Sequence, residues 1–434
     1  MNIFQEIVSK YKEYYIQDLE DLIRTSKYGT NSIQDHFLEK VNQLKCINDD
    51  FNYDPKSIDL VEEFATEIVQ GKNTERAIVA RHKGESIGKD LILFSHPDTE
   101  KYVNDEGWNH DPFEPKIRNK KIHGWGIADD LAGVAMMYQS LDLVKNSGIH
   151  LDGDLILAST PSKNHTRGIA SVLHKGYSAD SALYLHPAES GNGLEDIKAF
   201  TPGQIVFSID FFGKKPDTNE PAHTAMSHLG HNPMLDALEV IEALKEYEND
   251  RISKIHHPLL DASVGRSTNL LFSFFEYGKS GGMDKVHENC KLGCALSLVP
   301  GEKLEDIMNE IQERVDSVIH KNDWMKKQRP ELKWVSGVSS ASTEPTSPIY
   351  QITHKIIENY GTKAKINPLH TSSDIRNPIV QKGIPTVGFG PSCGNLTMCN
   401  ERNEWVDLDD YFRALCVTAE IVAKFCNEKK IKTY

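Results

Sequence analysis

Three short apolar runs, each stopping at a polar turn, constrain the fold of this chain more than any other feature. Leu91-Ile92-Leu93-Phe94 stops at Ser95-His96-Pro97-Asp98, Leu155-Ile156-Leu157-Ala158-Ser159 stops at the turn PSKNHTRG, and SALYLH over 181–186 stops at His186. The first is a short continuous apolar run typical of a strand buried on both faces, and the other two also read as strands. A helical stretch from Leu131 to Val144 separates the first two, with Leu131, Val134, Tyr138, Leu141 and Val144 marking one face, and a shorter helical segment separates the second from the third. This β-α-β-α-β order predicts an α/β domain with a mainly parallel sheet covered by helices. Ligand sites in such sheets lie beyond the carboxyl ends of the strands, where His96 and His186 both stand.

The flanking sequence predicts how this sheet is covered. Up to about Val69 the pattern reads as helices, with Ile7, Tyr11 and Tyr15 near four-residue spacing and Ile58, Val61, Ala65 and Ile68 repeating it; a strand, ERAIVARHKG, follows from about Arg76. After Gly191 the character changes. GQIVFSIDFFG alternates like a half-buried strand, Pro233 to Tyr247 reads as an amphipathic helix, STNLLFSFF and KLGCALSLV resemble strands, and Leu304, Ile307, Ile311, Val315 and Ile319 line another helix. That order suits an α+β domain with two helices on one sheet face. From about Glu331 the first pattern resumes, with a helix over 347–359 and the strand IPTVGFG. The expected organisation is a discontinuous α/β domain over 1–200 and 323–434, with an α+β domain over 201–322 inserted in it.

Composition narrows the class of partner. The 434 residues carry 49 Lys+Arg against 63 Asp+Glu, a net charge of −14, so a nucleic acid would meet repulsion. The apolar stretches are far shorter than the roughly 20 residues that cross a bilayer, and MNIFQEIVSKYKEYY lacks the apolar core of a secretory signal. Seven cysteines without CxxC spacing are expected to be free thiols. The expected protein is cytoplasmic, with neither nucleic acid nor membrane as partner.

His96 and Asp98 place an imidazole at a strand end with a carboxylate able to orient its other ring nitrogen, an arrangement common behind metal-bound histidines. Asp129 stands at a helix N-terminus, where Asp also serves as a simple cap. The order of segments is more specific than either. SHPDTE, GWNHDPFEPKIRNKKIHGWGIADDLAG, GYSADSALYLHPAESG, EPAHTAMSHLGHNP, SSDIRNPIVQKGIPTVGFGP and NEWVDLDDY occur in that order over roughly residues 75 to 425. Together they resemble the zinc-dependent aminoacylase and carboxypeptidase G superfamily, which also holds acetylornithine deacetylase and succinyl-diaminopimelate desuccinylase.

The resemblance implies a catalytic α/β domain with a paired-zinc site and an inserted lid domain that often dimerises and lends a His to the partner's active site. It places His96 on the first metal with Asp98 behind it, Asp129 of GWGIAD between the metals, and His186 where the family has a carboxylate before Pro. Imidazole is itself a competent zinc ligand. The second metal's residues are missing. Where the family has a Glu-Glu pair, comprising the general base and a ligand, this chain reads Pro161-Ser162-Lys163-Asn164-His165; where it has a C-terminal His ligand, this chain reads Cys399-Asn400-Glu401-Arg402-Asn403-Glu404.

Two readings follow. In one, His96, Asp129 and His186 hold a single zinc or other divalent ion with one coordination position open, and Lys163 or Arg402 supplies positive charge where the second cation stood. In the other, hydrolysis is lost and the cleft binds a ligand or partner. Asp130, Glu189 and His165 are candidate replacements for the missing base, with Glu189 preferred for its place three residues beyond His186. Arg376 in SSDIR corresponds to the family arginine that grips a substrate carboxylate. His223 in EPAHT matches the lid His that would stabilise an oxyanion across a homodimer. Asn269 is a possible substitute for missing lid contacts, Gly390 in GFGP would let the backbone approach substrate, and His370 in NPLHTSSD is a further ligand or proton-transfer candidate. STNLLFSFF is apolar enough to need cover, which favours pairing through the lid. The preferred expectation is a metal-dependent hydrolase of linear amide bonds in N-acyl amino acids or small peptides, with one zinc more expected than two.

Overall fold

The computed structural model describes residues 2–65, 69–70, 73–370 and 373–430. The chain divides into two compact units, 1–61 with 68–201 and 342–434, and 62–67 with 202–341.

The first unit is built on a six-stranded sheet ordered Ile47–Tyr53, Glu75–His82, Leu155–Ser159, Leu91–Ser95, Ser181–Leu185, Thr386–Phe389. The last four run parallel and the first two are antiparallel additions at one edge. Every residue of the three apolar strands is buried. Their two-residue period divides them between two cores. Leu91, Leu93, Leu155 and Leu157 face a core shared with Ile3–Ser26, Ala132–Asn146 and Leu408–Cys426, whereas Ile92, Phe94, Ile156 and Ala158 face Ile169, Val172 and Leu173 of Gly168–His174. The helix Ala132–Asn146 buries more than its expected stripe, Met136, Met137 and Leu143 included, because helices cover its far side as well as its sheet side.

The N-terminal region departs from the expected run of helices. Ile3–Ser26 and Thr30–Gln43 are helical, but Ile47–Tyr53 is a strand paired with Glu75–His82. Its sequence, INDDFNY, carries the acidic side chains that suit a sheet edge. Of the second expected repeat, Ile58 follows a short turn at Pro55–Ser57, Glu63–Phe64 is a strand of the other unit, and Ile68 lies outside the described residues.

The second unit is an antiparallel sheet ordered Leu270–Tyr277, Asn289–Leu298, Gly203–Phe212, Glu331–Val338, Glu63–Phe64. Ile205, Phe207, Ile209 and Phe211 alternate into a core with Ala237, Val240 and Leu244 of Pro233–Lys254 and with Ile307, Ile311 and Val315 of Leu304–Ile319. Two helices thus cover one sheet face. Glu331–Val338 does not resume the first pattern, because it pairs with Gly203–Phe212 from Gln204↔Val338 to Asp210↔Glu331. The expected boundary at 322–323 therefore falls inside the second unit.

Candidate metal centre

The centre lies in the first unit, at the carboxyl ends of adjacent parallel strands. Phe94 pairs with Tyr184, so the chain delivers His96 and His186 side by side just past the sheet, their rings 5.5 Å apart. Both side chains are buried. Nδ1 of His96 lies 3.0 Å from the Asp98 carbonyl and Nδ1 of His186 lies 2.8 Å from the Pro187 carbonyl. Held from behind in this way, both rings turn Nε2 toward the same atom, Asp129 Oδ1, at 3.2 Å and 3.5 Å.

Asp129 arrives on a turn that needs glycine at its start. Gly126 has φ 71° and a Cβ there would meet Thr99 Cγ2 at 2.2 Å. Glu404, fully buried, fixes the same turn by accepting from the Ala128 amide at 2.7 Å and the Thr397 hydroxyl at 2.7 Å. Burial pushes the Glu404 carboxyl up to about 7, with the bonds from Thr397 and Ala128 opposing.

The second oxygen of Asp129 is held by a cation from the protein itself. Lys163 Nζ donates directly to Asp129 Oδ2 and, at 3.0 Å, to Glu100 Oε1. Asp98 builds the turn that carries this lysine, accepting from the amides of Ser162 at 2.9 Å and Lys163 at 2.7 Å. Burial opposes charge on Asp129, but the bonds from His186 and His96 and the Lys163 ammonium outweigh it and hold its pKa well below the usual carboxylate value. Burial likewise disfavours the Lys163 ammonium, and Asp129 and Glu100 together raise its pKa.

Asp130 faces the other way. Its Oδ2 accepts from Ser95 Oγ at 2.6 Å and from the His96 amide at 3.3 Å, while Oδ1 has no hydrogen-bond partner among the described residues. Burial raises its pKa. Ligand atoms of His96, Asp130 and His186 fall within 4.8 Å of one another, so either neighbouring aspartate can complete a donor set with the two imidazoles. Two imidazole nitrogens, each ring braced by a backbone carbonyl, together with a carboxylate oxygen are chemically suited to zinc.

Behind His186 stands a second buried cation. Lys198, 2% exposed, places Nζ 2.9 Å from His186 Nδ1, 3.2 Å from the Pro187 carbonyl and 3.9 Å from Glu189 Oε2. The same Glu189 oxygen meets Nδ1 of His370 directly. Burial works against the Glu189 charge, and His370 and Lys198 reverse that effect, holding its pKa below the ordinary value.

Other expected residues are placed as follows. Arg376 is buried at the start of Arg376–Lys382, its amide 3.1 Å from the Ser373 carbonyl. A Cβ at Gly390 would fall 2.3 Å from the His186 carbonyl oxygen, so the close approach this glycine permits is to the protein's own chain. His165 closes the turn begun by Lys163. His223 and Asn269 belong to the second unit: His223 Nδ1 accepts from the Val286 amide at 3.4 Å, and Asn269 Oδ1 accepts from Arg266 Nε at 2.5 Å. Arg402 does not supply charge to the centre. It is half-buried and donates to the carbonyls of Glu106, Asn400 and Glu401, because its side chain closes a surface loop. Three participants were not anticipated: Glu100, Lys198 and Glu404. The one visible signal is Lys198, a lone charge in the otherwise apolar run Ile197–Phe200.

A family model described as peptidase family M20/M25/M40 matches residues 92–424. The chain belongs to this family. Its members are metal-dependent hydrolases of amide bonds, typically with zinc, acting on small amide substrates, and that is the class of enzyme to which the chain belongs. It is 23% identical over 357 residues, 78% of this chain and 80% of the other, to N-formyl-4-amino-5-aminomethyl-2-methylpyrimidine deformylase of Bacillus subtilis. It is 22% identical to acetylornithine deacetylase of Vibrio parahaemolyticus over 84% of this chain and 88% of that enzyme. An M20 metallo-carboxypeptidase from Sulfolobus solfataricus superposes with a TM-score of 0.69 at 15% identity, covering 95% of this chain and 99% of that one. A di-peptidase from Saccharomyces cerevisiae gives 0.67 at 13% identity, covering 99% and 98%, so this likeness is one of fold. Among the described residues no helix is long and apolar enough to cross a membrane.

Proposed function

We propose that the chain hydrolyses linear amide bonds of N-acyl amino acids or small peptides with one divalent ion, zinc by the chemistry of its donors, held by His96, Asp129 and His186. The observation that carries this reading is the division of Asp129, with Oδ1 facing two imidazole nitrogens and Oδ2 bound by Lys163. An aspartate that bridges two ions in related enzymes is here bonded on one side by an ammonium, which supplies charge without a second coordination site.

A bound zinc ion would supply Lewis acidity, polarising the scissile carbonyl and making water a better nucleophile. The chain's own residues do the rest. Asp98 fixes both the His96 ring and the turn of Lys163. Lys163 keeps Asp129 ionised and oriented. Arg376 takes the substrate carboxylate, for which a planar guanidinium is suited. The inserted unit acts as a lid through which two copies pair, bringing His223 to the partner's developing oxyanion.

A panel of N-formyl, N-acetyl and N-succinyl amino acids and dipeptides, assayed before and after chelation, tests this reading. Turnover of at least one substrate that is abolished by chelation and restored by one equivalent of zinc is expected. Turnover indifferent to chelation contradicts it.

A further inference from the structure

The vacated Glu-Glu position leaves hydrolysis without a proton acceptor, and the groups nearest the two imidazoles are already committed. Asp130 gives Oδ2 to Ser95 Oγ and the His96 amide and stands with the two imidazoles as a possible metal donor, Glu100 holds Lys163, and Lys163 holds Asp129. Beside His186, on the side of Lys198, Glu189 and His370 form a pair of a different kind. Glu189 Oε2 meets His370 Nδ1 directly, their side chains are 20% and 11% exposed, and the His370 ring centroid lies 6.0 Å from that of His186. Lys198, 3.9 Å from Glu189 Oε2, balances the carboxylate charge from the side of His186. The His370 backbone is anchored as well, its carbonyl accepting from Thr201 Oγ1 at 2.9 Å.

A carboxylate on Nδ1 fixes the tautomer of an imidazole. The ring proton stays on Nδ1, and Nε2, on the opposite edge, keeps a lone pair free to receive a proton. Resting on the hydrolytic reading above, we propose that His370 is the general base of this enzyme, with Glu189 as the residue that positions it. As a water oxygen forms its bond to the scissile carbonyl carbon, one water O–H bond breaks and that proton passes to His370 Nε2. The same proton then passes to the amide nitrogen as the C–N bond breaks, giving a carboxylic acid and an amine at the expense of one water; the acid's remaining proton then passes to the amine, leaving carboxylate and ammonium. Glu189 thus takes part through His370 and not by accepting the proton itself, which shifts the role from the carboxylate that the sequence favours to its partner.

The test joins kinetics to a measurement that needs no turnover. With the wild-type enzyme and a turned-over amide, His370→Ala is expected to lower kcat by about 10²- to 10⁴-fold with KM little changed and metal content unaltered. Added imidazole is expected to restore part of that loss, and Glu189→Gln to lower kcat less than His370→Ala does. Undiminished kcat in His370→Ala, loss of its metal, or failure of imidazole to restore turnover overturns the proposal. In parallel, ¹⁵N NMR of the His370 ring is expected to show the proton on Nδ1 in the wild type and a tautomer mixture in Glu189→Gln; a wild-type ring protonated on Nε2 overturns the pair. A wild-type chain that turns over none of the panel with zinc present contradicts the hydrolytic reading instead, and the NMR result still decides whether the pair exists.

Discussion

The two oxygens of Asp129 sit a bond angle apart and meet opposite chemistry. Around Oδ1 are two imidazoles whose outer nitrogens lie against backbone carbonyls, donors of the kind that suit a metal ion. Around Oδ2 is Lys163, a cation tied to the chain and held in turn by Glu100. The difference teaches that charge and coordination are separable. On the proposed reading, a bound ion would put positive charge on one side of the carboxylate and Lys163 already supplies it on the other.

The largest effect is expected on the imidazole side. His186→Ala removes one of the two imidazole donors, and loss of bound zinc together with a fall in kcat/KM of about a thousandfold, roughly 4 kcal/mol, is the expected outcome by metal analysis and steady-state kinetics. Lys163→Met breaks the other side and leaves Asp129 buried without its countercharge. A loss of about 3 kcal/mol in unfolding free energy is expected by denaturant titration, because removing one partner of a buried pair strands the other.

A smaller effect separates the turn that carries Asp129 from the side chains around it. Glu404 has a folded pKa of about 7 against an ordinary 4.5, so between those values the folded chain keeps a proton that the unfolded chain releases. Stability therefore falls as pH rises through that window. Glu404→Gln is expected to flatten the decline, by an amount of the order of 2 kcal/mol, measured as unfolding midpoints from pH 4.5 to 8. The smallest effect belongs to Arg402→Ala. Because its guanidinium sits on surface carbonyls, turnover is expected within about twofold of wild type, and a hundredfold loss would return Arg402 to the centre.

How much of this was legible in the chain depends on where each signal resides. The three apolar strands announce themselves because burial on both faces leaves no charged position in the run. Ile47–Tyr53 does not, because an edge strand rich in Asp and Asn carries no alternation to read. The extent of the second unit is hidden because Glu331–Val338 takes its place from a partner strand more than a hundred residues earlier. At the centre, His96, Asp129 and His186 stand at strand and helix ends within ordered motifs. Glu100 and Lys198 are single charged residues whose roles arise only when the sheet brings their loops together. Arg402 shows the converse: proximity in sequence to a vacated ligand position says nothing about where a long side chain turns.

The division of Asp129 is tested most directly by counting metal. Purified protein equilibrated with excess zinc, desalted and analysed by mass spectrometry for metal per chain is expected to hold one zinc ion, and Lys163→Glu, which exchanges the ammonium for a carboxylate beside Asp129 and Glu100, is expected to hold two. Two ions per wild-type chain, or none at any zinc concentration, would contradict the account.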